Sequence, residues 1–287
     1  MKIHSLVHEY FKLDGGAMFG VVPKTIWQRT NPADENNLIG MAARSLLIED
    51  KNRLILIDTG LGTKQSEKFF GYYKPSNRGG LDKKLHELGF SRNDITDIFL
   101  THLHFDHCGG AVIRKDEKLI PAFPNAKYWS NEAHWQWAIK PNRREKASFL
   151  KENFVPLQEY NRLHFVPLPG KEKKHIRFNE LNMDIIFVSG HTDMQMLPLI
   201  RYKGKTLVFM ADLLPTTGHI PLPYVMAYDT RPLITLDEKE TLLNQAADEG
   251  WYLFLEHDPV NEICTVKHTE KGVRLDKTLT LEEFKQL

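Results

Sequence analysis

The sequence predicts an α+β chain. Short β-rich runs recur in pairs joined by turn residues, and amphipathic helical patterns separate those pairs along the whole length. The first pair, 44–60, turns at Asp50-Lys51-Asn52; the second, 175–192, turns between Asn179 and Asn182; the third, 197–212, turns at Lys203-Gly204. Helical periodicity marks 79–90, with Leu81, Leu85 and Leu88 on one face. It returns at 130–140 behind a Ser130 cap, at 144–154, and at 236–250 with Gly250 as its stop. No repeat, low-complexity tract or Pro/Gly-rich linker breaks the 287 residues, so a single domain over 1–287 is expected.

Composition narrows the function. Lysine plus arginine number 38 and aspartate plus glutamate 37, a net charge of +1, which excludes the basic footprint of a nucleic-acid binder. Cys108 and Cys264 are too few for a disulfide framework. No apolar stretch is long enough for a membrane span, and the first residues place charges and histidines where an export signal needs its apolar run. The expectation is a cytoplasmic protein with a small-molecule substrate, no nucleic acid and no membrane partner, and with a homodimer left open.

The chemistry concentrates in "THLHFDHCGG", residues 101–110, at the end of the apolar run "DIFL". One histidine would carry no information. His102 and His104, however, stand two apart on extended chain, where alternate side chains share a face. Asp106 and His107 follow as the chain turns through Gly109-Gly110. Two imidazoles converging on one point and an Asp-His pair reaching a second suit two adjacent metal ions, and nitrogen and oxygen donors suit zinc and its neighbours. Cys108 adjoins a ligand but reads as a small buried residue rather than a reactive thiol.

The same local grammar, an apolar strand that ends in a liganding side chain and a turn, recurs at His191 in "DIIFVSGHT", Asp212 in "TLVFMADLLP" and His257 in "YLFLEHDP". Alone, each would more often be a cap or a satisfied core residue. Together with the first cluster they supply five histidines and two carboxylates.

At this point the chain resembles the metallo-β-lactamase-fold hydrolases, whose H-x-H-x-D-H, Gly-His, lone aspartate and last histidine occur here in order. The resemblance implies an αββα sandwich, two facing mixed sheets with helices outside. It implies that His102, His104 and His191 bind one divalent metal, that Asp106, His107 and His257 bind a second, and that Asp212 bridges them. Zinc is the leading metal, with Mn, Co or Fe as alternatives. Asp58-Thr59-Gly60 matches the family's Asp-Thr-Gly, whose aspartate supports the ligand shell. Hydrolysis by a shared hydroxide follows, with Asp106 or Asp212 moving the proton.

Within the family, "HLHFDH" and the segment "GGAMFGVVPKTIW" are most similar to the N-acyl homoserine lactonase and methyl parathion hydrolase-like group. That likeness implies opening of a small lactone or ester, with Met18, Phe19, Phe105 and His219 as pocket candidates; core packing is the alternative for Met18 and Phe19. Two departures from the lactonases stand out: Pro215 replaces a tyrosine three residues after the bridging aspartate, and "GHTDMQ" replaces G-H-T-P-G-H. A phosphotriesterase or arylesterase is the runner-up, and a mononuclear iron dioxygenase the more distant rival.

Overall fold

The computed structural model describes residues 1–170 and 174–287. Chain order begins with strand β1 (Lys2–Asp14), helices α1 (Gly15–Phe19) and α2 (Lys24–Trp27), β2 (Leu38–Asp50), β3 (Arg53–Ile57), α3 (Glu67–Tyr73), α4 (Gly80–Glu87) and β4 (Asp97–Phe99). It continues through α5 (Phe105–Cys108), β5 (Val112–Lys115), β6 (Lys118–Pro121), β7 (Lys127–Ser130), α6 (Glu132–Ile139), α7 (Val155–Glu159) and β8 (Leu163–Phe165). The rest comprises β9 (His175–Phe178), β10 (Met183–Val188), β11 (Gln195–Tyr202), β12 (Lys205–Phe209), α8 (Pro232–Glu249), β13 (Tyr252–Phe254), β14 (Ile263–Thr269), β15 (Gly272–Leu279) and α9 (Leu281–Gln286). These residues form two compact units, 1–11 with 43–170 and 12–42 with 174–287. Each unit draws on two separated stretches of chain, so no single cut divides them, and no linker composition marks a boundary.

The first unit holds a six-stranded sheet in the order β1-β2-β3-β4-β7-β8. The hairpin read at 44–60 is present: β2 and β3 pair antiparallel around Lys51-Asn52. From β3 onward the neighbours are parallel, so β3, β4 and β7 all finish at one sheet edge. Functional groups gather at such carboxyl ends. Leu81 and Leu85 of α4 enter the core with Ile98, Phe123, Tyr128 and Trp135, as the leucine spacing requires.

The second unit holds a seven-stranded sheet in the order β15-β14-β13-β12-β11-β10-β9. Both expected hairpins form, β9–β10 around Asn179–Asn182 and β11–β12 around Lys203-Gly204. Lys203 and Gly204 both take positive φ, 49° and 79°, the backbone a two-residue hairpin needs. Because β10 and β12 flank the antiparallel β11, and β12 runs parallel to β13, strands β10, β12 and β13 end at the same edge.

Two expectations about helices are corrected. Helix α6 is capped by Asn131, which accepts from the His134 amide, while Ser130 is the last residue of β7. Residues 144–154 do not form an α-helix: they turn, with only a short 3₁₀ segment at Lys151–Asn153. The Asn142 side chain accepts from the amides of Arg144 and Glu145 and holds this stretch as a turn, competing with the helical ladder.

Candidate metal centre

In the first unit, β4 ends at Phe99, the chain bends at Thr101, and His104 has an extended backbone of φ −68° and ψ 155°. The two imidazoles converge as the alternation predicts, with His102 Nε2 3.1 Å from His104 Nδ1. Asp106 and His107 follow on the single turn of α5 and are buried with them. Each histidine has its other nitrogen against a fixed partner. His104 Nε2 is 3.0 Å from Glu145 Oε1, and His107 Nδ1 is 3.0 Å from Asp58 Oδ2. His102 Nδ1 is 3.1 Å from the Thr101 hydroxyl, which itself donates to Asp58 Oδ2 at 2.6 Å. These acceptors favour ring protons on the outer nitrogens, which makes His102 Nε2, His104 Nδ1 and His107 Nε2 the candidate ligand atoms.

Asp58 is fully buried and adopts φ 56°, a left-handed conformation. Besides His107 and the Thr101 hydroxyl it accepts the Thr101 amide at 2.8 Å. The Asp-Thr-Gly match is thus a support of the ligand segment, as the resemblance implies. Thr59 clasps the same segment by donating both its amide and its hydroxyl to His107 O. Contact is backbone on backbone here: a Cβ on Gly62 (φ 70°) would lie 2.4 Å from Gly109 O.

In the second unit, His191, Asp212 and His257 each stand three residues beyond a strand end, after Val188, Phe209 and Phe254. His102 obeys the same spacing after Phe99. All three side chains are buried. Asp212 faces both histidines, with Oδ2 3.1 Å from His191 Nε2 and Oδ1 3.1 Å from His257 Nε2. The opposite nitrogens are again fixed: His191 Nδ1 lies 2.8 Å from Asp229 Oδ1, and His257 Nδ1 lies 2.8 Å from Ala42 O. A carbonyl only accepts, so His257 donates from Nδ1 and presents Nε2 to Asp212.

Carboxylate oxygens facing imidazole nitrogens at this distance require positive charge between them, a ring proton or a metal ion. Burial disfavours a charged His191, yet Asp212 and Asp229 outweigh it and raise the imidazole to about 10. The donor set fits divalent metal ions: nitrogen and carboxylate ligands are buried at strand ends, with the outer ring nitrogens hydrogen-bonded as metal-bound histidines require.

Several of the supporting groups escaped the sequence reading. Glu145 lies in the stretch read as a helix, and its second oxygen takes Trp137 Nε1 and Asn142 Nδ2. Asp229 sits in "AYDTRP" with no strand before it. His134, read as an ordinary residue, accepts the Leu103 amide through Nε2 at 2.9 Å, between the first two ligands. Cys108 is buried, donates to Leu103 O, and is pushed up to about 12 by burial, an inert thiol as expected.

Of the pocket candidates, Met18 and Phe19 are buried, and Phe19 stacks on Trp27 and on His219. His219 is buried with both nitrogens engaged, Nδ1 with Thr216 Oγ1 at 2.8 Å and Nε2 with Met18 O at 2.9 Å; burial lowers it to about 4. It holds the α1 segment in place. Phe105 packs against Phe69 and Tyr73. The half-buried Tyr73 phenol is raised to about 12, by burial and by the charge of Asp106.

Comparison with known proteins places this geometry in a family. The model of the metallo-beta-lactamase superfamily matches residues 39–257, most of the chain and all seven expected ligands. A probable metal-dependent hydrolase from Staphylococcus aureus is 28% identical over 97% of this chain and 98% of its own, with a TM-score of 0.83. A dizinc quorum-quenching lactonase solved with a product is 24% identical over 97% and 94% of the two chains, TM-score 0.78, a likeness of fold. Probable metallo-hydrolases of Mycobacterium bovis and Mycobacterium tuberculosis are 28% identical over 120 residues, 39% of this chain. That match spans 36% of the relatives' own length, little more than a third. The α+β fold expected from the ligand motif is the fold found, and the chain belongs to the metallo-beta-lactamase superfamily.

Proposed function

We propose that this protein is a metal-dependent hydrolase that opens a small, neutral, largely apolar lactone or ester, with an N-acyl homoserine lactone as the leading substrate. The observation that carries the hydrolase reading is the uniform histidine arrangement, one ring nitrogen held by a fixed acceptor and the other directed at a ligand partner. Following the family pattern, His102, His104 and His191 hold one ion, Asp106, His107 and His257 the other, and Asp212 serves both. Zinc suits this donor set. When bound, such ions supply Lewis acidity and a water acidified towards neutrality, which is what hydrolysis requires.

The chain's own groups do the rest. Asp58, Glu145 and Asp229 keep their histidines in the liganding tautomer. Asp106 or Asp212 takes the proton released on attack and returns it to the leaving oxygen. Pro215 offers no hydroxyl three residues after Asp212, so a lactone carbonyl must be oriented by other groups. The half-buried Tyr73 phenol, beside Phe105 and in the field of Asp106, is the group proposed for that role.

The lactone assignment rests on "HLHFDH" and on the near-neutral charge, which disfavours polyanionic substrates. A pH-indicator assay of acyl homoserine lactones of several chain lengths, beside paraoxon-like triesters and aryl esters, tests it. The expected result is the highest kcat/KM on a lactone. A higher value on a triester overturns the lactone assignment in favour of the phosphotriesterase. Metal content below about one ion per chain after gentle purification overturns the dinuclear site.

A further inference from the structure

The second unit contains a cavity that the metal-site residues do not line. It has a volume of about 350 Å³ and lies between α8 and strands β10 and β11. Ile186, Val188, Leu199, Leu242 and Trp251 give it an apolar interior. Its acidic groups are already satisfied. Glu238 accepts the amides of Ser189 and Gly190 at 2.8 and 2.9 Å, and Glu249 accepts from Gln245 and Trp251. Its cations form only long ion pairs, although Arg201 also donates to the Thr206 hydroxyl. Lys174 Nζ approaches Glu238 no closer than 3.9 Å, and Arg201 Nε is 3.7 Å from Asp184, with both side chains more than half exposed. The exposed His175 also lines the cavity. Long, solvated ion pairs of this kind contribute little, so these cations keep donor capacity for another anion. The backbone of Lys174 is nonetheless fixed, since its carbonyl accepts the Phe187 amide.

We propose that this cavity binds one straight-chain carboxylate, a fatty acid of about ten carbons. Its chain lies on Ile186, Leu199 and Leu242, and its head group lies against Lys174 and Arg201. The size follows from the volume: at roughly 30 Å³ for each water-sized group, 350 Å³ accommodates about ten to twelve. The head group follows from the charge. The occupant touches Glu238, whose carboxylate grips the Ser189-Gly190 turn directly before His191, so filling the cavity shields those two amide hydrogen bonds from water.

Calorimetric titration of the full chain with sodium decanoate tests this, with decanol and decyltrimethylammonium as controls. Gln245→Trp fills the cavity from an exposed position of α8, and Lys174→Ala/Arg201→Ala removes the head-group contacts. One decanoate per chain is expected, at least tenfold weaker in the double variant and lost in Gln245→Trp. Amide exchange at Ser189 and Gly190 is expected to slow in the presence of decanoate. Several results overturn the proposal: no binding at millimolar decanoate, unchanged affinity in Gln245→Trp, or decanol binding as tightly as decanoate. A chain that is dimeric as wild type and monomeric as Gln245→Trp, with no decanoate uptake, assigns the cavity to a second copy and overturns it as well.

Discussion

Replacing Asp58 with asparagine alters the hydrogen-bonding chemistry of one side chain and almost none of its volume. Asparagine tolerates the left-handed backbone at this position, φ 56°, so the variant isolates the carboxylate. Three donors converge on it: the Thr101 amide at 2.8 Å, the Thr101 hydroxyl at 2.6 Å and His107 Nδ1 at 3.0 Å. An asparagine that keeps its oxygen on the amide turns its NH₂ towards the hydroxyl and the imidazole. His107 can then accept only by moving its proton to Nε2, the liganding nitrogen. The Thr101 hydroxyl, once it accepts, donates to His102 Nδ1 and pushes that ring's proton to Nε2 as well. One substitution therefore blocks two ligand nitrogens. Losing a charge-assisted hydrogen bond costs about 1.5–3 kcal/mol, and losing a partner of a metal-bound histidine costs about 10–100-fold in affinity, figures of the same size. Competition for zinc against a chromogenic chelator, with circular dichroism to verify folding, measures the effect. Zinc affinity within threefold of wild type, alongside a lowered Tm, would refute the tautomer argument and leave Asp58 a purely structural residue.

Three other perturbations have expected outcomes. His8 is buried against Ser45, and burial lowers it to about 4, below the ordinary 6.5; its contribution to stability is therefore present above pH 6.5 and is lost as the pH falls towards 4, at about 1.4 kcal/mol per pH unit. His8→Gln should flatten the stability profile between pH 4 and 6.5 by that slope in urea titrations, and an unchanged slope would disprove the assignment. Lys239 is buried and donates to His219 O, Pro221 O and Tyr224 O, so Lys239→Met strands three carbonyls and should cost about 3–5 kcal/mol in chemical denaturation. Gly62→Ala combines a positive φ with a 2.4 Å approach to Gly109 O and should cost about 2–4 kcal/mol, measured as a drop in Tm; a variant as stable as wild type would mean the loop yields freely.

The ligands were legible because their signal is local. A short apolar run, a strand end and a side chain three residues later form one contiguous word, repeated at His102, His191, Asp212 and His257. The hairpins were legible for the same reason, since turn residues and alternation act within a few positions. The groups that fix the histidine tautomers are a different kind of information. Asp58 reaches His107 across 49 residues, Glu145 reaches His104 across 41, and Asp229 reaches His191 across 38. Only Asp58 carried a motif of its own. Glu145 was concealed by a periodicity that reads as a helix; in the fold its carboxylate is committed to His104, Trp137 and Asn142, and the stretch turns instead. Ala211, at φ 40° directly before Asp212, gave no sign in the sequence of the left-handed backbone it adopts, a conformation costing an alanine about 1–2 kcal/mol. Such strain persists only where surrounding contacts over-determine the backbone, and here it aims the carboxylate that faces both His191 and His257. A ligand can thus be named from its neighbours in sequence, but the protonation state and direction that make it a ligand depend on residues tens of positions away.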